Sequence, residues 1–194
     1  MNTMRHSDPY GYHSDVPTLS QTVSVTMELY QSMRGEYFVG YADDLVFGNG
    51  TSAWARLYNP HHSGVNLHVN VWTVTDISAA PFRAQFWFNA TAMGTPVQSP
   101  TVSANTALTP LPRSRIELQS ASQVPGEPMG GVKAFSRRGQ PESTLVETEN
   151  GKFIFPPGGN FMVFVSLAET PNISATGRVG FGWWEEPISG GNCY

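Results

Sequence analysis

Residues Phe153 to Pro187 read FIFPPGGNFMVFVSLAETPNISATGRVGFGWWEEP, and this stretch decides the fold. Phe153 to Phe155 end an extended run. The corner Pro156-Pro157-Gly158-Gly159 forbids helix and supplies permissive backbone, after which Asn160 to Leu167 resumes as a strand. In that strand Phe161, Val163, Val165 and Leu167 alternate with Met162 and Phe164, so both faces are apolar and the strand belongs in the middle of a sheet. Beyond a turn at Pro171-Asn172, Val179, Phe181 and Trp183 face one way while Arg178, Gly180, Gly182 and Trp184 face the other. Two such strands form the centre of a β-sandwich.

Working outward, the same period recurs along the chain. Thr22 to Tyr30 reads as a first strand, with Val23, Val25, Met27 and Leu29 alternating against Thr22, Ser24, Thr26 and Glu28. Tyr37 to Tyr41 and a short Leu45 to Phe47 are split by a turn at Asp43-Asp44. Gly48-Asn49-Gly50 turns the chain into Thr51 to Asn59. Val65 to Val74 is the longest alternation, with Val65, Leu67, Val69, Val71 and Thr73 on one face and Asn66, His68, Asn70, Trp72 and Val74 on the other. Phe82 to Asn89 places Phe82, Ala84, Phe86 and Phe88 inward. Residues 91–112 read as a long surface loop, Arg115 to Leu118 and Val132 to Phe135 as shorter strands, and Thr144 to Glu147 as a marginal one. No stretch carries a helical hydrophobic period. The expectation is an all-β chain: a single β-sandwich of jelly-roll type over residues 21–188, a flexible N-terminal arm over 1–20, and a short Gly/Cys tail over 189–194.

Composition narrows the function classes. Charged residues are 13% of the 194, against roughly 25% in ordinary domains, so the surface is poor in the charges that keep a monomer apart from its neighbours. Only two of the 11 basic residues are Lys, Lys133 and Lys152, which suggests sheet edges lacking their commonest guard. A net charge of -4, with only Arg113/Arg115 and Arg137/Arg138 as close basic pairs, argues against nucleic acid. There is no run approaching roughly 18 apolar residues and no apolar core after the first charges, so neither membrane insertion nor a classical signal peptide is expected. Cys193 is the single cysteine and excludes an internal disulfide.

The runs Tyr37-Phe38-Val39-Gly40-Tyr41, Phe47-Gly48-Asn49-Gly50-Thr51, Ala53 to Pro60, and Ser63 to Leu67 with Val71 to Val74 resemble an uncharacterised β-rich family of endospore-forming bacteria. The likeness covers about residues 30–90, and more loosely Phe153 to Glu186. It implies a source and a class, with no catalytic residues. A jelly roll with an N-terminal arm and a tail cysteine is also similar in architecture to spore-appendage and other fibre subunits.

Candidate chemistry is sparse. His61, His62 and His68 lack the ligand spacing of a metal-binding sandwich, and Asp43, Asp44 and Asn49 lack the regular oxygen spacing of a calcium loop. No Gly-x-Ser-x-Gly element and no phosphate-cradling loop occurs, and the neighbours Glu185 and Glu186 point to opposite faces. The sequence therefore predicts no enzyme, no metal and no cofactor. The favoured reading is a structural subunit that polymerises with itself, its arm residues His6, Tyr10, Tyr12, His13, Val16 and Leu19 contacting a neighbour over a reach of up to roughly 65 Å. Cys193, after two glycines, is the candidate for an intermolecular disulfide to another copy or to a distinct anchoring protein. The expected location is extracellular or on a spore surface, with the cytoplasm left open. The rival is a carbohydrate-binding module in which Trp72 and Trp87, on the wetter faces of their strands, form a platform with Asn70 and Gln85.

Overall fold

The computed structural model describes residues 22–167, 169–170 and 172–188. One helix, α1 (Met27–Met33), precedes eleven strands: β1 (Tyr37–Gly48), β2 (Ser52–Tyr58), β3 (Val65–Asp76), β4 (Phe82–Phe88), β5 (Val97–Ser99), β6 (Thr101–Ser103), β7 (Glu117–Val124), β8 (Val132–Gly139), β9 (Thr144–Phe155), β10 (Asn160–Ser166) and β11 (Ser174–Pro187). They form two antiparallel sheets, ordered β6-β1-β11-β3-β9 and β5-β7-β2-β10-β4-β8, which pack as a sandwich. Of the described residues, no helix is long and apolar enough to cross a membrane.

The two strands read from the opening stretch take the predicted places. β10 lies between β2 and β4 and is buried from Asn160 to Val165, while β11 lies between β1 and β3. Its Val179, Phe181 and Trp183 enter the core between the sheets. The proline-glycine corner carries the chain from β9 in one sheet to β10 in the other. Phe86 sits at the heart of this core, with its ring centroid 4.3 Å from Trp72 and 4.4 Å from Phe135.

Several expectations are corrected. The segment Thr22 to Tyr30 is not a strand. Thr26 caps α1, its hydroxyl accepting from the Leu29 amide at 3.4 Å, and Glu28 lies in the first turn, where an acidic side chain suits the helix dipole. Gly35, at φ +76, ends the helix. The period-two apolar pattern over Val23 to Leu29 is thus compatible with a helix too short to display its own period.

The turn at Asp43-Asp44 is instead a bulge inside one strand: β1 pairs Ala42 with Val179 and Leu45 with Gly177, leaving an extra residue and Asp44 at φ +52. A second bulge falls at Asn70. β3 pairs Val69 with Trp183 and Val71 with Gly182, so Val65, Leu67 and Val69 point inward before the bulge, and Trp72 and Val74 after it. An uninterrupted alternation through Val65 to Val74 is therefore wrong from Asn70 onward. The 91–112 loop contains β5 and β6. The strands begun at Arg115, Val132 and Thr144 are also longer than predicted, β9 reaching Phe155 through an excursion at Glu149 to Lys152.

The edges are guarded after all. Both lysines occupy edge strands, Lys133 on β8 and Lys152 on β9, and β8 adds Arg137 and Arg138. At the opposite margins the edge strands β5 and β6 are three residues each. Charge and shortness are the two commonest devices against edge-to-edge pairing.

Candidate functional site

The outer faces of the two sheets differ. That of the six-stranded sheet is covered by its own chain: Trp54, Met162 and Phe164 are essentially inaccessible, Trp87 is 8% exposed, and Ala92 and Met93 pack over them. The Trp54 indole donates to the Met93 carbonyl at 2.7 Å, fastening that cover.

Among the described residues, the five-stranded sheet has no such cover over its middle. Paired residues share a face, so register gives its surface row by row. Val102, Val39, Gly182, Val71 and Thr148 lie across from one another, and the next row runs Tyr41, Gly180, Thr73 and Val146. With two glycines on the central strand, the floor drops by a side chain. The result is a groove of about 400 Å³ between the walls of β1 and β3. Tyr41 is 54% exposed, Val102 43% and Val39 37%, so the walls are apolar surface open to solvent. No lining residue is charged, and polar side-chain atoms come only from Tyr41, Thr73 and Thr101. The glycines leave room for side chains that lean over them. A Cβ at 182 would come within 2.6 Å of the Tyr37 hydroxyl, and one at 180 within 2.7 Å of Thr73 Oγ1.

Polar groups close both ends. At one end Trp184 stacks on His68 at 5.2 Å and fills the space above Gly151, where a Cβ would overlap its ring. His68 Nδ1 donates to the Gly151 carbonyl at 3.2 Å, and Nε2 lies 3.0 Å from Glu186 Oε2. Beside it Asn70 donates to the Tyr37 hydroxyl at 2.8 Å. Burial pushes the Tyr37 phenol above its ordinary value; the Asn70 bond opposes this, and the charge of nearby Glu28 on α1 adds to it. At the other end Arg178 grips Asp43 through two hydrogen bonds of 2.8 and 2.7 Å, which holds that carboxyl below its usual range despite some desolvation.

The residues predicted as a sugar platform do not form one. Trp72 is 1% exposed within the core, its indole donating to buried Glu149 at 3.0 Å, because the Asn70 bulge turns it inward. Trp87 lies in the other sheet, beneath Lys133, with its indole bonded to Gln85. Asn70 and Gln85 are 5% and 3% exposed. His68, read as solvent-facing, is 9% exposed, while His61 and His62 are on the surface. Glu185 and Glu186 do face opposite ways: Glu185 is buried and accepts from Ser114 Oγ at 2.6 Å and from the amides of Arg115 and Ile116. It anchors the approach to β7 and is fully occupied doing so. Among the described residues, no three His, Cys, Asp or Glu side chains are grouped to hold a metal. The arm residues His6, Tyr10, Tyr12, His13, Val16 and Leu19, and Cys193 in the tail, lie outside the described residues. Sequence reasoning missed the groove, although its signal, glycine at every second position opposite the core-facing residues of β11, was visible.

No curated protein and no solved structure matches the chain. A family pattern matches residues 8–190, nearly the whole length, and the chain accordingly belongs to a family of unknown function, DUF6143.

Proposed function

We propose that this protein is a structural subunit that associates with further copies of itself. The observation that carries the reading is the contrast between a sheet face covered by its own chain and one that the described residues leave as an open, uncharged, apolar groove. The guarded edges move the contact from the sheet margins to this face. The jelly-roll reading is supported by strand order: without the inserted β5 to β7, β1, β11, β3 and β9 make one sheet and β2, β10, β4 and β8 the other, with β1 to β4 and β8 to β11 alternating between sheets. An assembly at a spore or other extracellular surface is proposed from the sequence resemblance alone. The sugar-binding alternative receives less support, since the groove offers few hydrogen-bonding side chains to orient a polyol.

Sedimentation of the full chain over a range of concentrations tests this reading. A rise in mass with concentration is expected, and a single monomeric species throughout would overturn it.

A further inference from the structure

Thr22 to Met27 is patterned like a strand with one apolar face: Val23, Val25 and Met27 alternate with Thr22, Ser24 and Thr26, and no side chain from Val16 to Met27 is charged. Within it, Thr22 to Thr26 is neither helix nor strand, and Val23 and Val25 are 75% and 48% exposed. The described residues of its own chain therefore leave Val23 and Val25 uncovered.

The groove has matching chemistry and spacing. In extended chain, side chains two residues apart repeat at roughly 6.8 Å, so Val23 and Val25 project at the same interval that separates Gly180 from Gly182. The walls on β1 and β3 flank β11 at about one strand spacing each, roughly 9.6 Å apart, which is room for one row of side chains. Neither surface carries a charge, so bringing them together strips none of water.

We infer that Thr22 to Thr26 of one copy lies along β11 of a second copy, with Val23 and Val25 over Gly182 and Gly180 in either direction. This rests on the self-association proposed above and names its site. The occupant comes from another molecule, because in its own chain both valines are exposed and neither lines the groove. It runs directly into α1, which packs beside the Tyr37 end of β1, so each subunit presents a donor segment near its own acceptor groove.

The test uses the full chain. Val25→Glu on the segment and Val39→Glu on the groove wall alter exposed positions, so circular dichroism and melting temperature should match the parent. Each should weaken association at least about tenfold by burying an unpaired charge. In a Cys193→Ser background, Val25→Cys or Val23→Cys chains mixed with Val39→Cys chains, whose cysteine adjoins Gly182 across the β1–β11 pairing, should form a mixed disulfide on mild oxidation. Val25→Cys mixed with Val132→Cys, on the far edge strand β8, should not. If the parent associates but both Glu variants associate equally well, the groove assignment is wrong while self-association stands. If the parent is monomeric, self-association itself falls. A double Val25→Cys/Val39→Cys chain that closes only within one molecule would place the segment in its own groove and overturn the second copy as occupant.

Discussion

The two outer faces of this sandwich are made by the same period-two patterning, yet one is closed and the other open. On the six-stranded sheet, outward positions carry Trp54, Trp87, Met162 and Phe164, and the chain spends Ala90, Ala92 and Met93 covering them. On the five-stranded sheet the outward positions beside the groove on the central strand are Gly180 and Gly182, and among the described residues the flanking Val39 and Tyr41 are exposed and Val71 and Thr73 half-buried. Large apolar groups cannot be left in water without cost, so the first face needs an internal cover. Small ones over a glycine floor expose less area per position, and a fold can leave them open until a partner arrives.

The largest effect that would break the comparison is expected on the closed face. Trp54→Ala removes an inaccessible indole and its bond to Met93, and should lower unfolding free energy by about 3–5 kcal/mol in denaturant titration. A loss below about 1 kcal/mol would mean that the cover is not integral to the fold. Next, Glu185→Ala leaves the Arg115 amide and the Trp183 indole N–H without their acceptor, while Ser114 and Ile116 keep their bonds to each other, and should cost roughly 1–3 kcal/mol. On the open face, Tyr41→Ala should change stability by no more than about 0.5 kcal/mol while weakening association. A large destabilisation there would show that the open face is held in place by its own aromatics.

The smallest effect is electrostatic and lies beneath the open sheet rather than on it. Asp76 ends β3 facing inward; burial pushes its carboxyl up, and its bonds to Ser78 only partly offset this. An acid whose folded pKa is raised binds its proton more readily when folded, so the folded state is penalised as pH rises through the unfolded and then the folded value. Asp76→Asn should therefore gain stability relative to the parent as pH is raised from below the ordinary carboxylate range to neutrality. Parallel stability–pH curves for the two proteins would contradict this.

Much of the fold was readable because burial imposes its period on sequence. β10, apolar at every position, and β11, with core residues and glycines in strict alternation, could be placed before any coordinates were known. What could not be read were phase changes. A bulge adds one residue without any marked change in composition, so Asn70 gives no warning that Trp72 faces the core; Trp87, the other half of the predicted sugar platform, was lost separately, to the cover on the second sheet. Asp43-Asp44 did carry a turn signal, but a bulge and a turn draw on the same residue types. Edge protection was also invisible. A count of lysines says that there are two, whereas only the strand order puts both on exposed margins. The helix hid because its seven residues make barely two turns, too few for a period to emerge from Met27 to Met33.

The central claim, that the open face is where copies meet, is tested most directly by hydroxyl-radical footprinting of the full chain at increasing concentration, reading Tyr41 against Tyr58 in the other sheet. The account predicts that Tyr41 becomes protected as concentration rises while Tyr58 does not change. Equal reactivity of Tyr41 at every concentration, in a sample whose mass does increase, would place the contact elsewhere.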